Sequence, residues 1–267
     1  MHRQQDRIGH VLNRVVALQR SRRFRDTSGQ FWIEGIRQFI QAFESGSEFQ
    51  SVIVSRILLK SHLVEMMIRQ LRVRGVNCAY VSPEQFRGIS ICERASGIGA
   101  IVRQHWRPLE NIDAGHGLCW LVIEHLRSSG NLGTILRTAE ATGVGGVILL
   151  SDQCDPFDPP CIRASMGGIF HLQLARATHR QLRRWAAAGG VLLVGLSPSA
   201  QGLWTDLPPH SPMAILIGDE RKGLSQDAHD SCHALVRLPM SGRADSLNVG
   251  VATGVMLYEL VRKTSIR

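Results

Sequence analysis

The sequence predicts two α/β domains, a small one at the N-terminus and a larger one built on a mainly parallel sheet. Three observations carry that expectation. Strand-like segments alternate with segments of helical periodicity along the chain, as βαβ units require. The length of 267 residues suits one large or two small domains. Charge and glycine both divide near the same point: residues 1–107 hold 17 basic and 8 acidic side chains, residues 108–267 hold 14 of each, and 18 of the 26 glycines lie in the second part.

The first element spans 6–25. Ile8, Val11, Leu12, Val15 and Val16 fall at helical spacing, with Arg14, Arg20, Arg22, Arg23 and Arg25 on the other face or trailing the end, which predicts one amphipathic, basic helix. A strand at 31–34, a helix at 36–43 and a strand at 51–55 follow. A helix at 62–73 carries a stripe of Leu63, Met66, Met67 and Leu71. A strand at 78–81, a short helix opened by Pro83 and a strand at 97–102 close the domain. The stretch 104–117, with Pro108, Gly115 and several charges, reads as a linker, with 108–117 taken as the boundary between the two domains.

The second domain, 118–267, opens on a continuous apolar run at 118–123, the pattern of a buried parallel strand. A helix at 131–142, a strand at 146–150 and a helix at 179–188 come next. Strands at 191–196, 214–217 and 234–238 lead to a final helix at 246–262. The abundance of glycine here indicates backbone passing close to something.

Composition excludes several classes. An apolar content of 44% supports an ordinary core rather than disorder. No apolar run approaches the ~18 residues of a membrane span, and Arg3, Asp6 and Arg7 do not resemble a signal peptide. A soluble, cytoplasmic protein is expected. Cys78, Cys92, Cys119, Cys154, Cys161 and Cys232 form no C-x-x-C pair, so neither a zinc site nor a redox motif is expected. Only three of the 31 basic residues are lysines; arginine suits phosphate and base stacking, although a GC-rich genome gives the same bias.

Three clusters sit at strand-to-helix transitions, where α/β proteins bind ligands. The first runs from Asn131 through Arg137 to Gly143; Asn131 can cap the helix, and Arg137 six residues on falls roughly on the Asn131 side. Its bland alternative is a capped helix with a surface arginine. The second is Ile217-Gly-Asp-Glu-Arg-Lys-Gly-Leu224, a strand ending in glycine and a carboxylate pair, or else a solvated turn. The third runs from Leu238 to Glu259, where the loop from Pro239 to Ser246 offers backbone N–H groups to a polar ligand. Gly250 and Gly254, one turn apart, let another backbone approach this helix. No G-x-G-x-x-G in the right context and no G-x-x-x-x-G-K-[ST] occurs, which disfavours dinucleotide and P-loop enzymes.

In this order and spacing the clusters resemble the three signature motifs of the SpoU (TrmH) family of SPOUT RNA methyltransferases. The resemblance extends to Arg163-Ala-Ser-Met-Gly-Gly-Ile-Phe-His171, and to Phe31-Trp-Ile-Glu-Gly-Ile-Arg37 and Gly97-Ile-Gly-Ala-Ile-Val102 of a small ribosomal-protein-like domain. It implies an RNA-holding α/β/α domain at 1–107 and, at 118–267, an α/β domain with a deep trefoil knot. The implied activity is transfer of a methyl group from S-adenosylmethionine to a ribose 2′-hydroxyl, in 23S rRNA first and tRNA next. Arg137, Asn131, Glu220, Ser246 and Asn248 match the catalytic positions, with Glu220 orienting Arg137 and Asn248 the ribose. Leu196, Gly218, Leu238, Met240 and Leu247 match the cofactor-binding positions. The final helix is expected to double as the face of a homodimer. Arg20, Arg22, Arg23, Arg25, Arg37 and Arg163 are the candidate RNA contacts, and neither metal nor membrane is called for.

Arg137 is either the base or the group that fixes a phosphate and stabilises the developing alkoxide; a guanidinium pKa above about 12 favours the second. Asp219, the Arg221-Lys222 pair and Gly250 depart from the family pattern. The rival readings are a catalytically inactive RNA-binding protein that keeps the knotted fold, and a methyltransferase acting on protein or a small molecule, which the basic first half disfavours.

Overall fold

The computed structural model describes residues 2–152, 154–207, 212–243 and 245–265. Two units emerge: Met1–Gln104 with Phe157–Phe170, and His105–Pro156 with His171–Arg267. The basic N-terminal segment forms two helices rather than one, α1 (His2–Arg20) and α2 (Arg22–Ser28). Ser21 separates them because it caps α2: its backbone is extended and its Oγ accepts from Phe24 N at 3.1 Å. β1 (Gln30–Glu34), α3 (Ile36–Glu44), β2 (Phe49–Val54), α4 (His62–Val73), β3 (Asn77–Tyr80), α5 (Pro83–Ile89) and β4 (Ile98–Arg103) follow, close to their predicted positions.

Their sheet has the order β1-β4-β2-β3, with β4 antiparallel to β1 and β2, and β3 parallel to β2. Val15 and Leu18, on the apolar face of α1, are buried with Trp32, Ile53, Phe86 and Ile101. That burial, not helix propensity, holds the basic helix in place. Gly99 on β4 makes room for the indole: a Cβ there would lie 2.2 Å from the Trp32 ring.

The second unit begins earlier than predicted. Residues 108–117 are not a free linker, because Leu109 and Ile112 are buried in the core beside Trp120 and Ala186, and Trp185 Nε1 donates to Ile112 O at 3.5 Å. Proline, glycine and charge around them masked two apolar anchors. β5 (Trp120–Ile123), α6 (Ser129–Ala141) and β6 (Gly146–Leu149) come next, then α7 (Pro159–Ser165), β7 (Gln173–Arg176), α8 (His179–Gly189), β8 (Leu192–Leu196), β9 (Gly202–Leu203), β10 (Met213–Ile217), α9 (Gln226–Ser231), β11 (Ala234–Arg237) and α10 (Val249–Ser265). The seven strands are all parallel, in the order β7-β6-β5-β10-β8-β11-β9.

α7 belongs with the first unit, which corrects the expectation of one continuous domain over 118–267. The Phe157 ring lies 4.7 Å from Phe31 and the Phe170 ring 6.3 Å from it. Arg37 Nε donates to Met166 O at 3.0 Å. Among the described residues no helix is long and apolar enough to cross a membrane, and none of the six cysteines is in a disulfide.

Candidate active site

β10 enters the sheet between β5 and β8, so the strand order reverses there and leaves a crevice at the carboxyl ends of the strands. A cleft of 590 Å³ opens at this place, lined by chain leaving β8, β10 and β11 and by the segment before α10. It falls within the ~300–1,000 Å³ of organic-ligand sites. Leu196, Gly218, Leu238, Met240 and Leu247 all line it, together with Ser246. Gly218 lies against its own returning backbone. A Cβ there would lie 2.2 Å from Gly223 O and 2.5 Å from Leu224 N, so only glycine lets the turn after β10 fold back.

That turn is closed by backbone bonds of 2.9 Å in both directions between Asp219 and Gly223. Asp219 anchors it: Oδ1 accepts from Arg221 N at 2.8 Å and Lys222 N at 2.9 Å, and Oδ2 accepts from Arg127 Nε at 2.8 Å. His125 Nε2 lies 3.4 Å from the same oxygen. The Arg127 hydrogen bond first, supported by the two backbone N–H groups, holds the Asp219 carboxyl well below the usual carboxylate range. The departure at 219 is therefore the residue that shapes the cleft wall.

Glu220 turns to the beginning of α6. It accepts from Arg127 N at 3.1 Å, Ser128 N at 3.4 Å and Asn131 Nδ2 at 3.1 Å. Burial pushes its carboxyl up, but these hydrogen bonds together carry it below the ordinary value. Ionised, it can only accept, so it positions groups rather than delivering a proton. Asn131 passes the chain on, since its Oδ1 accepts from Asn248 Nδ2 at 3.2 Å. Asn248 is also the cap of α10, with Oδ1 accepting from Gly250 N at 2.9 Å. That is why α10 starts at Val249 rather than at 246. Ser128, not Asn131, caps α6.

Three of the five predicted catalytic residues, Asn131, Glu220 and Asn248, are thus brought into one hydrogen-bonded chain, and Ser246 stands on the cleft wall. Arg137 is not among them. At 3.6 residues per turn it lies about 120° round α6 from Asn131 and about 9 Å further along, so it does not share that side. Glu220 does not orient it, being occupied by Arg127 N, Ser128 N and Asn131. The Arg137 guanidinium is exposed and has no hydrogen bond or ion pair among the described residues. Sequence reasoning missed Arg127; only the unusual carboxylate at 219 hinted that a cation would be needed nearby.

The RNA candidates separate likewise. Arg25 is buried, with Nη1 donating to Leu18 O and Nη2 3.2 Å from Asp158 Oδ1. It is a structural arginine, and its place in the basic run was misleading. Arg22 pairs with Asp26 at 3.2 Å, and Arg37 holds Met166 O while staying exposed. Arg20, Arg23 and Arg163 are exposed. The small residues Gly250 and Gly254 face Thr134 and Thr138 of α6.

A model of the SpoU rRNA methylase family matches residues 119–258, and a model of an MRM3-like substrate binding domain matches residues 12–100. An uncharacterized tRNA/rRNA methyltransferase of Synechocystis is 31% identical over 90% of this chain and 86% of its own. The 23S rRNA (uridine(2479)-2′-O)-methyltransferase of Streptomyces viridochromogenes is 28% identical over 92% and 88%. The crystal structure of an AdoMet-bound rRNA methyltransferase from Sinorhizobium meliloti superposes with a TM-score of 0.87 at 31% identity, covering 95% of this chain and 94% of that one.

Proposed function

The chain belongs to the SpoU rRNA methylase family, and from that premise we propose that it methylates a ribose 2′-hydroxyl of RNA, with 23S rRNA as the substrate. The observation that carries the reading is the cleft at the ends of β8, β10 and β11 with the Glu220–Asn131–Asn248 chain running from its wall. S-adenosylmethionine, when bound, supplies a methyl group on a sulfonium that an aligned nucleophile takes up. The residues present fit it: Leu196, Leu238 and Leu247 offer apolar surface, and the missing Cβ of Gly218 lets the turn fold back beside the cleft.

Glu220 and Asn131 tie the turn after β10 to the start of α6, so cleft wall and catalytic helix move as one piece. Asn248 links both to α10 and presents its remaining amide hydrogen towards a ribose. Arg137, which has no hydrogen bond or ion pair among the described residues, takes the phosphate beside the reacting ribose and stabilises the alkoxide that forms, since charge-assisted hydrogen bonds are worth ~1.5–3 kcal/mol. The 2′-hydroxyl proton leaves to water, as a guanidinium already carries its full complement of protons. The insertion of β10 between β5 and β8 supports a deep trefoil knot in this unit, and an RNA substrate fits a cytoplasmic location.

The test is direct. Purified protein with radiolabelled S-adenosylmethionine should label 23S rRNA, and the modified nucleotide should resist alkaline cleavage at its 3′ phosphodiester. Label on protein alone, or none on RNA, would overturn the proposal. A homodimer is part of it, supported by Val251, Val255 and Tyr258, which leave an exposed apolar stripe one face wide along α10. Light scattering should give twice the chain mass of 29.6 kDa; the monomer mass at micromolar concentration would remove this part.

A further inference from the structure

A second cleft, of 430 Å³, lies wholly within the first unit. One wall comes from α1 and the end of α5, the other from Asp158 to Arg163 at the start of α7. We infer that this cleft holds one unstacked nucleotide of a single-stranded RNA segment, its phosphate gripped between Arg20 and Arg163 and its base laid on Ile91 and the Pro159-Pro160 edge. This deepens the RNA reading above and rests on it.

The charge balance favours an anion. Arg20 and Arg163 are exposed, and neither has a hydrogen bond or ion pair among the described residues. The carboxylate among the lining residues, Asp158, is already engaged by Arg25 at 3.2 Å. The cleft is larger than a phosphate needs, and its apolar side includes Ile91, 41% exposed, which no neighbour covers. Guanidinium groups beside an apolar shelf match the two parts of a nucleotide, and splayed-out bases are how proteins read single-stranded RNA.

The cleft is also held in shape. Gln19 Nε2 donates to Ile89 O at 2.6 Å, joining α1 to the end of α5. Glu34 accepts from Ile91 N at 2.9 Å and from Ser90 Oγ, fixing the segment that carries Ile91. The opposite wall is fixed by the Arg25–Asp158 pair. Such preorganisation lowers the ordering cost of binding. The match to the substrate-binding domain model stops at residue 100, so Arg163 and the prolines are contributed by chain from beyond it.

Fluorescence anisotropy with the full chain tests this, using an oligouridine of about ten nucleotides and an RNA duplex of about 16 base pairs. Arg20→Gln with Arg163→Gln should weaken oligouridine binding about tenfold or more at low salt, and cut the slope of log affinity against log salt by about 0.7, the value for one phosphate of a single strand. Ile91→Ser should weaken it severalfold with the slope unchanged. Duplex binding should change little in either variant. Unchanged oligouridine affinity, or equal losses on both probes, would overturn the cleft assignment. Methyl transfer by the wild type is read separately: transfer to RNA with unaltered oligouridine binding in the variants sinks only the cleft, whereas no transfer with the expected binding losses sinks only the enzymatic reading.

Discussion

Arg137→Ala should lower methyl transfer to RNA by about 10²–10³-fold while leaving S-adenosylmethionine affinity and the unfolding midpoint unchanged. The size is that expected for losing one charged donor to a developing oxyanion. The unchanged stability follows from the structure, because the side chain is exposed, makes no bond among the described residues and is not part of the cleft lining; such surface substitutions stay within about 0.5 kcal/mol. Arg137→Lys should fall between the two, since an ammonium keeps the charge and loses the planar fork that grips a phosphate in two places. Calorimetric titration with the cofactor and single-turnover transfer on the same preparations separate the effects. Wild-type turnover in the alanine variant would remove Arg137 from the reaction and leave it a solvated arginine on α6.

The sequence revealed the long, strongly patterned elements and hid those whose cause is a tertiary contact. α4, with its Met67 and Leu71 stripe, and β5, with four consecutive buried residues, were legible because periodicity and burial agree. α9 was not, being the polar hexapeptide Gln226–Ser231 with no apolar stripe, nor was β7, whose burial is confined to Leu174 and Ala175. The two anchors Leu109 and Ile112 vanished into a linker-like composition, and only the fold shows them buried. At the site, the family resemblance singled out Asn131, Glu220 and Asn248, and the structure joins these three by hydrogen bonds. What the resemblance misassigned was who holds whom. Glu220 and Arg137 look like partners on paper, but the carboxylate takes three donors at the start of α6 instead. Likewise a run of arginines suggests an anion, while Arg25 within it satisfies backbone carbonyls and Asp158 instead.

Gly218→Ala should raise the dissociation constant for S-adenosylmethionine by about 10–100-fold, the counterpart of the ~1–3 kcal/mol that overpacking costs. The added methyl would stand 2.2 Å from Gly223 O and 2.5 Å from Leu224 N, and backbone cannot swing aside as a flexible side chain can. The turn from Asp219 to Gly223 would have to move as a body, because its own two 2.9 Å bonds keep it closed. Moving it draws Glu220 from Asn131, so turnover at saturating cofactor should fall as well, and the two losses should appear together. Gly223→Asn is the control. Gly223 has φ of +70° with nothing within 4 Å of its would-be Cβ, and asparagine tolerates that left-handed backbone better than other side chains, so this variant should bind the cofactor within a few-fold of wild type. Equal tolerance at both positions would mean that the turn is pliable and that Gly218 does not set the cleft, whereas loss at 218 alone ties cofactor binding to the one point where β10 must pass its own returning backbone.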